Sequence, residues 1–195
     1  MAAFKIEMNN SKVIQLPDIL HCFRVAYLSE ALCKALNFNN KLIKEIFVSA
    51  LLHDIGKSMV DLSVLNKHER LTQVEWNSIK YHAEIGGAIA ANMGQSPDVV
   101  KNIVYHHENY DGSGYPRKLK GSCISIGAQI IRICDTYDAL RMIRPYKRAY
   151  GHEEALQEMH MEREKYNSLF LQAFLDLDFD EIKGYITAEE YKGVV

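Results

Sequence analysis

"ISIGAQIIRICDTYDALRMI", residues 124–143, admits two readings, and the fold class turns on the choice between them. Its opening is rich in β-branched side chains, as a buried strand would be. Yet Ile126, Ile130, Ile133 and Tyr137 recur at intervals of three and four residues, which lines one face of a helix. No segment elsewhere offers the alternating pattern of a hairpin partner. The spacing therefore predicts a helix here.

The neighbouring segments agree. "FRVAYLSEALCKAL" (23–36) sets Val25, Leu28, Leu32 and Leu36 at helical spacing, and "KLIKEIFVSALLHDIGK" (41–57) does the same with Leu42, Ile46, Ala50 and Leu51. "LTQVEWNSIKYHAEIGGAIAANMG" (71–94) opens on the capping signal Thr72-x-x-Glu75 and closes on Gly94. "SPDVVKNIVYHH" (96–107) begins with Ser96 and Pro97, a cap followed by a proline where the first helical N–H needs no partner. "HEEALQEMHMEREKYNSLFLQAFLDL" (152–177) supplies one or two helices more. No repeat, low-complexity tract or linker divides the 195 residues, so the expectation is one all-α domain over 1–195.

Composition narrows the class. A hydrophobic share of 48% is that of an ordinary globular chain, and no apolar run approaches the roughly 20 residues that span a bilayer. The opening "MAAFKIEMNNSKVIQ" is polar throughout and unlike an export signal, so the chain reads as cytoplasmic. Cys22, Cys33, Cys123 and Cys134 form no CxxC pair and read as reduced core thiols. A net charge of −2 argues against a general nucleic-acid binder. Residues 117–148 nonetheless carry +6, from Arg117, Lys118, Lys120, Arg132, Arg141, Arg144, Lys147 and Arg148 against Asp135 and Asp138. Either a solvated basic face or an anion site fits that excess.

Metal-capable side chains recur along these helices: His21, His53 with Asp54, His82, His106 with His107, and Asp135. The last pair opens "HHENYDGSGYP" (106–116), where imidazoles and acids precede a turn fixed by Gly112, Gly114 and Pro116. A single helix histidine is most simply structural; seven such residues together point to a metal site. Lys57 falls one helical turn after His53, so its ammonium reaches the same face. Late in the chain, Asp176, Asp178 and Asp180 imitate a calcium loop, but Glu181 stands where that loop needs glycine and Thr187 where it needs a bidentate acid. They read as an acidic, solvated edge.

"LLHDIGK" (51–57) resembles the doublet that defines the HD phosphohydrolase superfamily, and "HHENYDGSGYP" resembles the signature of its HD-GYP branch. The similarity extends through "HCFRVAYLSEAL", "VEWNSIKYHAEIGG", "ICDTYDAL" and "RPYKRA", over roughly residues 20–175. The resemblance implies a helical bundle around a metal centre and, in active members, hydrolysis of cyclic di-GMP to the linear dinucleotide or on to GMP. It implies that His21, His53, Asp54 and Asp135 surround one ion and that Asp54, His82, His106 and His107 surround the other. Asp54 would bridge them, with a hydroxide shared between the ions as nucleophile.

Histidine-rich ligation favours iron or manganese, with zinc as the alternative. Lys57 becomes a phosphate clamp and proton donor to the leaving oxygen, while Arg144 and Lys147 would hold the second phosphate beside Gly114 and Tyr115. In the family the Gly-Tyr-Pro loop also meets diguanylate cyclase domains. Members with a third metal carry glutamate four residues before the first histidine; Pro17 stands there and Asp18 is one position off, so two metals are expected. With only twenty residues before His21, the chain reads as a stand-alone enzyme or an excised domain. The competing functions are an HD hydrolase acting on another nucleotide and a catalytically silent binding module.

Overall fold

The computed structural model describes residues 16–67, 69–142 and 148–182, apart from the side chains of 16–18 and 181–182. Arg144 and Lys147 lie outside the described residues, as do the side chains of Pro17 and Asp18. In order come α1 (Leu16–Ala35), α2 (Asn40–Leu52), a 3₁₀ turn (Ile55–Met59), α3 (Leu62–Leu65), α4 (Gln73–Lys80) and α5 (His82–Asn92). They are followed by α6 (Pro97–Tyr105), α7 (Ile126–Arg141), α8 (His152–Met161), α9 (Ser168–Leu175) and α10 (Phe179–Ile182). Among the described residues there is no strand.

The capping chemistry works as the sequence suggests. Thr72 accepts from the Glu75 N–H while the Glu75 carboxylate accepts from the Thr72 N–H, and Ser96 caps α6 with Pro97 in the first turn. One expectation needs correction: residues 71–94 form two helices, because the chain bends at Tyr81 and restarts at His82. That bend aims His82 inward, as its near-complete burial shows.

α7 is the axis of the bundle. It packs on α1, α2, α6, α8 and α9, and it shares one core cluster with Val25, Leu28 and Leu32 of α1 and with Ile46 and Ala50 of α2. Ile131, off the predicted stripe, is fully buried, whereas Ile126 in the first turn is 44% exposed. A helix covered on most sides carries apolar residues around most of its circumference, which explains the strand-like composition of its sequence. Each fully buried leucine or isoleucine here contributes about 1.5–3 kcal/mol relative to exposure. The cysteines divide: Cys33 and Cys134 are core residues, Cys22 is half-buried, and Cys123 is exposed, contrary to the core reading of all four.

Gly56 brings the two halves of the bundle together. A Cβ at that position would stand 2.0 Å from the His82 carbonyl oxygen and 2.6 Å from the Gly86 nitrogen. Only glycine lets the turn after His53 and Asp54 lie directly on α5.

Candidate metal centre

Three of the histidines are presented at helix boundaries, while His21 lies within α1. His53 and His106 are the C-terminal caps of α2 and α6, and His82 follows directly on the end of α4. The last carbonyls of a helix lack intrahelical donors. Each ring uses one: His53 Nδ1 donates to Ala50 O at 2.7 Å, His82 Nδ1 to Ile79 O at 2.6 Å, and His106 Nδ1 to Ile103 O at 2.6 Å. A carbonyl can only accept, so Nδ1 carries a proton in each; in His82 and His106 the ring is neutral and its Nε2 lone pair is free to ligate, whereas Asp54 beside His53 outweighs burial and raises that ring.

Those lone pairs converge. His82 Nε2 and His106 Nε2 stand 3.3 Å apart. Two unprotonated nitrogens at that distance repel one another unless a cation lies between them. Burial, with neighbouring positive charge, holds His106 down at about 3 and lowers His82 and His107 as well, which keeps the rings neutral. His53 Nε2 and Asp54 Oδ1 are buried and accept no hydrogen bond, a costly state that a bound cation would relieve.

Asp54 spans the centre. Its Oδ2 lies 3.3 Å from His53 Nε2 and 3.7 Å from His21 Nε2, while its Oδ1 lies 3.3 Å from His82 Nε2. Ligand atoms of Asp54, His82, His106 and His107 all fall within 4.8 Å of one another, as do those of His21, His53 and Asp54. Asp135 joins the second group, 3.2 Å from His21 Nε2 and 3.9 Å from His53 Nε2. All seven residues singled out in the sequence thus meet in one place, in the two sets the resemblance implies. The donor set, imidazole and carboxylate without thiolate, fits divalent transition metals.

On the α1 side the centre is charged. His21 Nδ1 donates to Asp138 Oδ2 at 2.6 Å, and Arg24 holds the same carboxylate through Nε at 2.7 Å and Nη2 at 3.0 Å. Burial opposes a charged His21, but the hydrogen bonds it donates to Asp135 and Asp138 outweigh it and raise the ring to about 9. Two carboxylates draw positive charge to this point; a proton answers that demand, and a divalent ion answers it more strongly. Sequence reasoning missed Arg24 and Asp138. Their only sequence signal was helical spacing, Arg24 three residues after His21 and Asp138 three after Asp135.

The acids of the loop prove to serve its backbone. Glu108 is buried and accepts from the N–H groups of Arg117 at 2.6 Å and Leu119 at 3.0 Å, while Asp111 accepts from the Ser113 N–H at 2.8 Å. A Cβ on Gly114 would sit 2.3 Å from the Asn109 nitrogen, so that position requires glycine. The Tyr115–Pro116 peptide is cis, and the Tyr115 ring stacks on His107 with centroids 4.7 Å apart. Lys57 Nζ donates to Asp54 Oδ2 at 2.5 Å, on the face the spacing indicated. Much of the basic segment is engaged locally: Arg117 with Glu84, Arg132 with Asn109 and Thr136, Arg148 with Glu154.

A family model described as "HD domain" matches residues 5–168. The chain belongs to the HD-domain family. Its Gly-Ser-Gly-Tyr-Pro turn is the feature of the HD-GYP branch. Among curated proteins, this HD-domain chain is 36% identical over 141 residues to a cyclic di-GMP phosphodiesterase of Pseudomonas aeruginosa, covering 72% of this chain and 34% of that one. It is 35% identical over 162 residues to a cyclic di-GMP phosphodiesterase of Thermotoga maritima, covering 81% and 44%. The fold matches the crystal structure of a cyclic GMP-AMP specific phosphodiesterase of Vibrio cholerae with a TM-score of 0.66 at 19% identity, over 88% of this chain and 47% of that one. The chain therefore spans less than half the length of these relatives. No helix among the described residues is long and apolar enough to cross a membrane.

Proposed function

We propose that this HD domain is a metal-dependent phosphodiesterase that opens a cyclic dinucleotide, with cyclic di-GMP as the first candidate. The observation that carries the reading is the Asp54 carboxylate, whose two oxygens face separate sets of imidazoles. The activity named for the Pseudomonas and Thermotoga relatives supports the choice of substrate.

The seven residues would hold two divalent ions, His21, His53, Asp54 and Asp135 around one and Asp54, His82, His106 and His107 around the other. Iron or manganese suits the donor set best. When bound, such a pair supplies a nucleophile at neutral pH and relieves charge on the phosphoryl oxygens. The protein's own part is to place the diester. Lys57, anchored on Asp54, meets the reacting phosphate and gives a proton to the ribose oxygen that leaves as the P–O bond breaks. Tyr115 and Gly114 form the wall beyond His107, and Arg144 and Lys147 remain candidates for the second phosphate. Diguanylate cyclase domains meeting the Gly-Tyr-Pro turn, and action in the cytoplasm, belong to the same proposal.

The test is anaerobic loading with iron or manganese, metal analysis, and a turnover screen. Cyclic di-GMP, cyclic GMP-AMP, the linear dinucleotide and mononucleotides are offered in parallel. Turnover of a cyclic dinucleotide is expected, and the product, linear dinucleotide or GMP, is read from the same assay. Turnover confined to mononucleotides would overturn the reading. A preference for cyclic GMP-AMP would move the substrate towards that of the Vibrio structure.

A further inference from the structure

Three cations on or beside α4 and α5 are neutralised by carboxylates. Lys57 pairs with Asp54 at 2.5 Å, Lys67 with Glu75 at 2.7 Å, and Arg117 with Glu84 at 3.0 Å. Lys80 differs. Its ammonium lies 5.4 Å from the centroid of Trp76 and 5.2 Å from that of Tyr115, and among the described residues no carboxylate pairs with it. Ring faces attract a cation through their quadrupole but leave its charge uncancelled, so the ammonium is held in position and remains able to bind an anion.

Its place bears on the centre. Lys80 ends α4, two residues before His82. Tyr115, which forms one wall of the ammonium's seat, stacks on His107, and His107 lies 5.1 Å from His82 by ring centroids. One half-buried, uncancelled cation therefore stands one ring beyond the imidazole half, on the side where the Gly-Tyr-Pro turn closes. A cyclic dinucleotide carries two phosphates in one macrocycle, so when one is at the centre the other must be met nearby. We propose that Lys80, seated between Trp76 and Tyr115, binds the phosphate of the cyclic dinucleotide that is not being cleaved. This rests on the phosphodiesterase reading above.

The test compares metal-loaded parent, Lys80→Gln and Lys80→Arg on cyclic di-GMP and on bis(p-nitrophenyl) phosphate, a diester with no second phosphate. The ratio of kcat/KM for the dinucleotide to that for the small diester should fall about tenfold in Lys80→Gln, through KM, and recover in Lys80→Arg. The small diester also serves as the folding control. Trp76 is the only tryptophan of the chain, so its emission should shift as cyclic di-GMP is added, with half-saturation near KM. An unchanged ratio in Lys80→Gln, or an emission that does not respond, overturns the assignment while leaving the phosphodiesterase reading intact. A parent that cleaves the small diester but no cyclic dinucleotide removes both.

Discussion

On the α1–α7 side of Asp54 the centre is built of charge, and on the α5–α6 side of neutral rings. His21 lies between Asp135 and Asp138, with Arg24 fixing the second carboxylate. His82 and His106 rely on backbone carbonyls for orientation, and burial keeps them unprotonated. The difference shows two ways of fixing a ligand nitrogen. One uses side chains more than a hundred residues apart in sequence, which only packing can bring together. The other uses the backbone carbonyl three residues before the histidine, so it is built into local structure.

Asp54 is the single residue common to both halves, so changing it tests whether they are one site. Asp54→Ala should remove both ions and lower turnover by about a thousandfold or more, as expected when a two-metal centre loses its shared ligand. Metal analysis beside kinetics checks this. Retention of one ion with substantial activity would break the picture of a shared centre.

Lys57→Ala should lower kcat by about a hundredfold while leaving the metal content intact, because the lysine touches Asp54 without belonging to either set of rings. Loss of metal in that variant would make Lys57 part of the charged half.

Asp138→Asn should weaken metal binding about 10- to 100-fold, in the range seen when the partner of a ligating histidine is altered. A competitive chelator titration should show one weakened and one unaffected ion. Equal weakening of both would show that the halves are not independently held.

The smallest expected effect lies at the surface cap of α4. Thr72→Ala should cost about 1 kcal/mol in urea unfolding, with the charged half untouched. In the same box, Lys67 and Thr72 hold the Glu75 carboxyl down at about 2, from an ordinary 4.5. A depressed carboxyl contributes stability above its unfolded pKa and loses it on acidification. The stability gap between the parent and Glu75→Gln should therefore be present at neutral pH and narrow as pH falls from 4.5 towards 2.

Helical periodicity carried the all-α class, and the Thr72 and Ser96 caps fixed two helix starts, because both are local rules written in neighbouring residues. The seven candidate ligand residues were legible for another reason: histidine and aspartate recurring near helix ends and within helices have few structural uses in common. Other features were hidden. The break at Tyr81, the burial of Ile131 and the pairing of Arg24 with Asp138 each depend on which helix lies opposite. So do the turning of Glu108 towards its own loop and the seating of Lys80 on two rings. Sequence determined which side chains could ligate and which segments would coil, since those properties belong to a residue and its near neighbours. Tertiary structure alone decided which charges are cancelled and which remain, since cancellation is a matter of distance between atoms that the chain brings together only by folding.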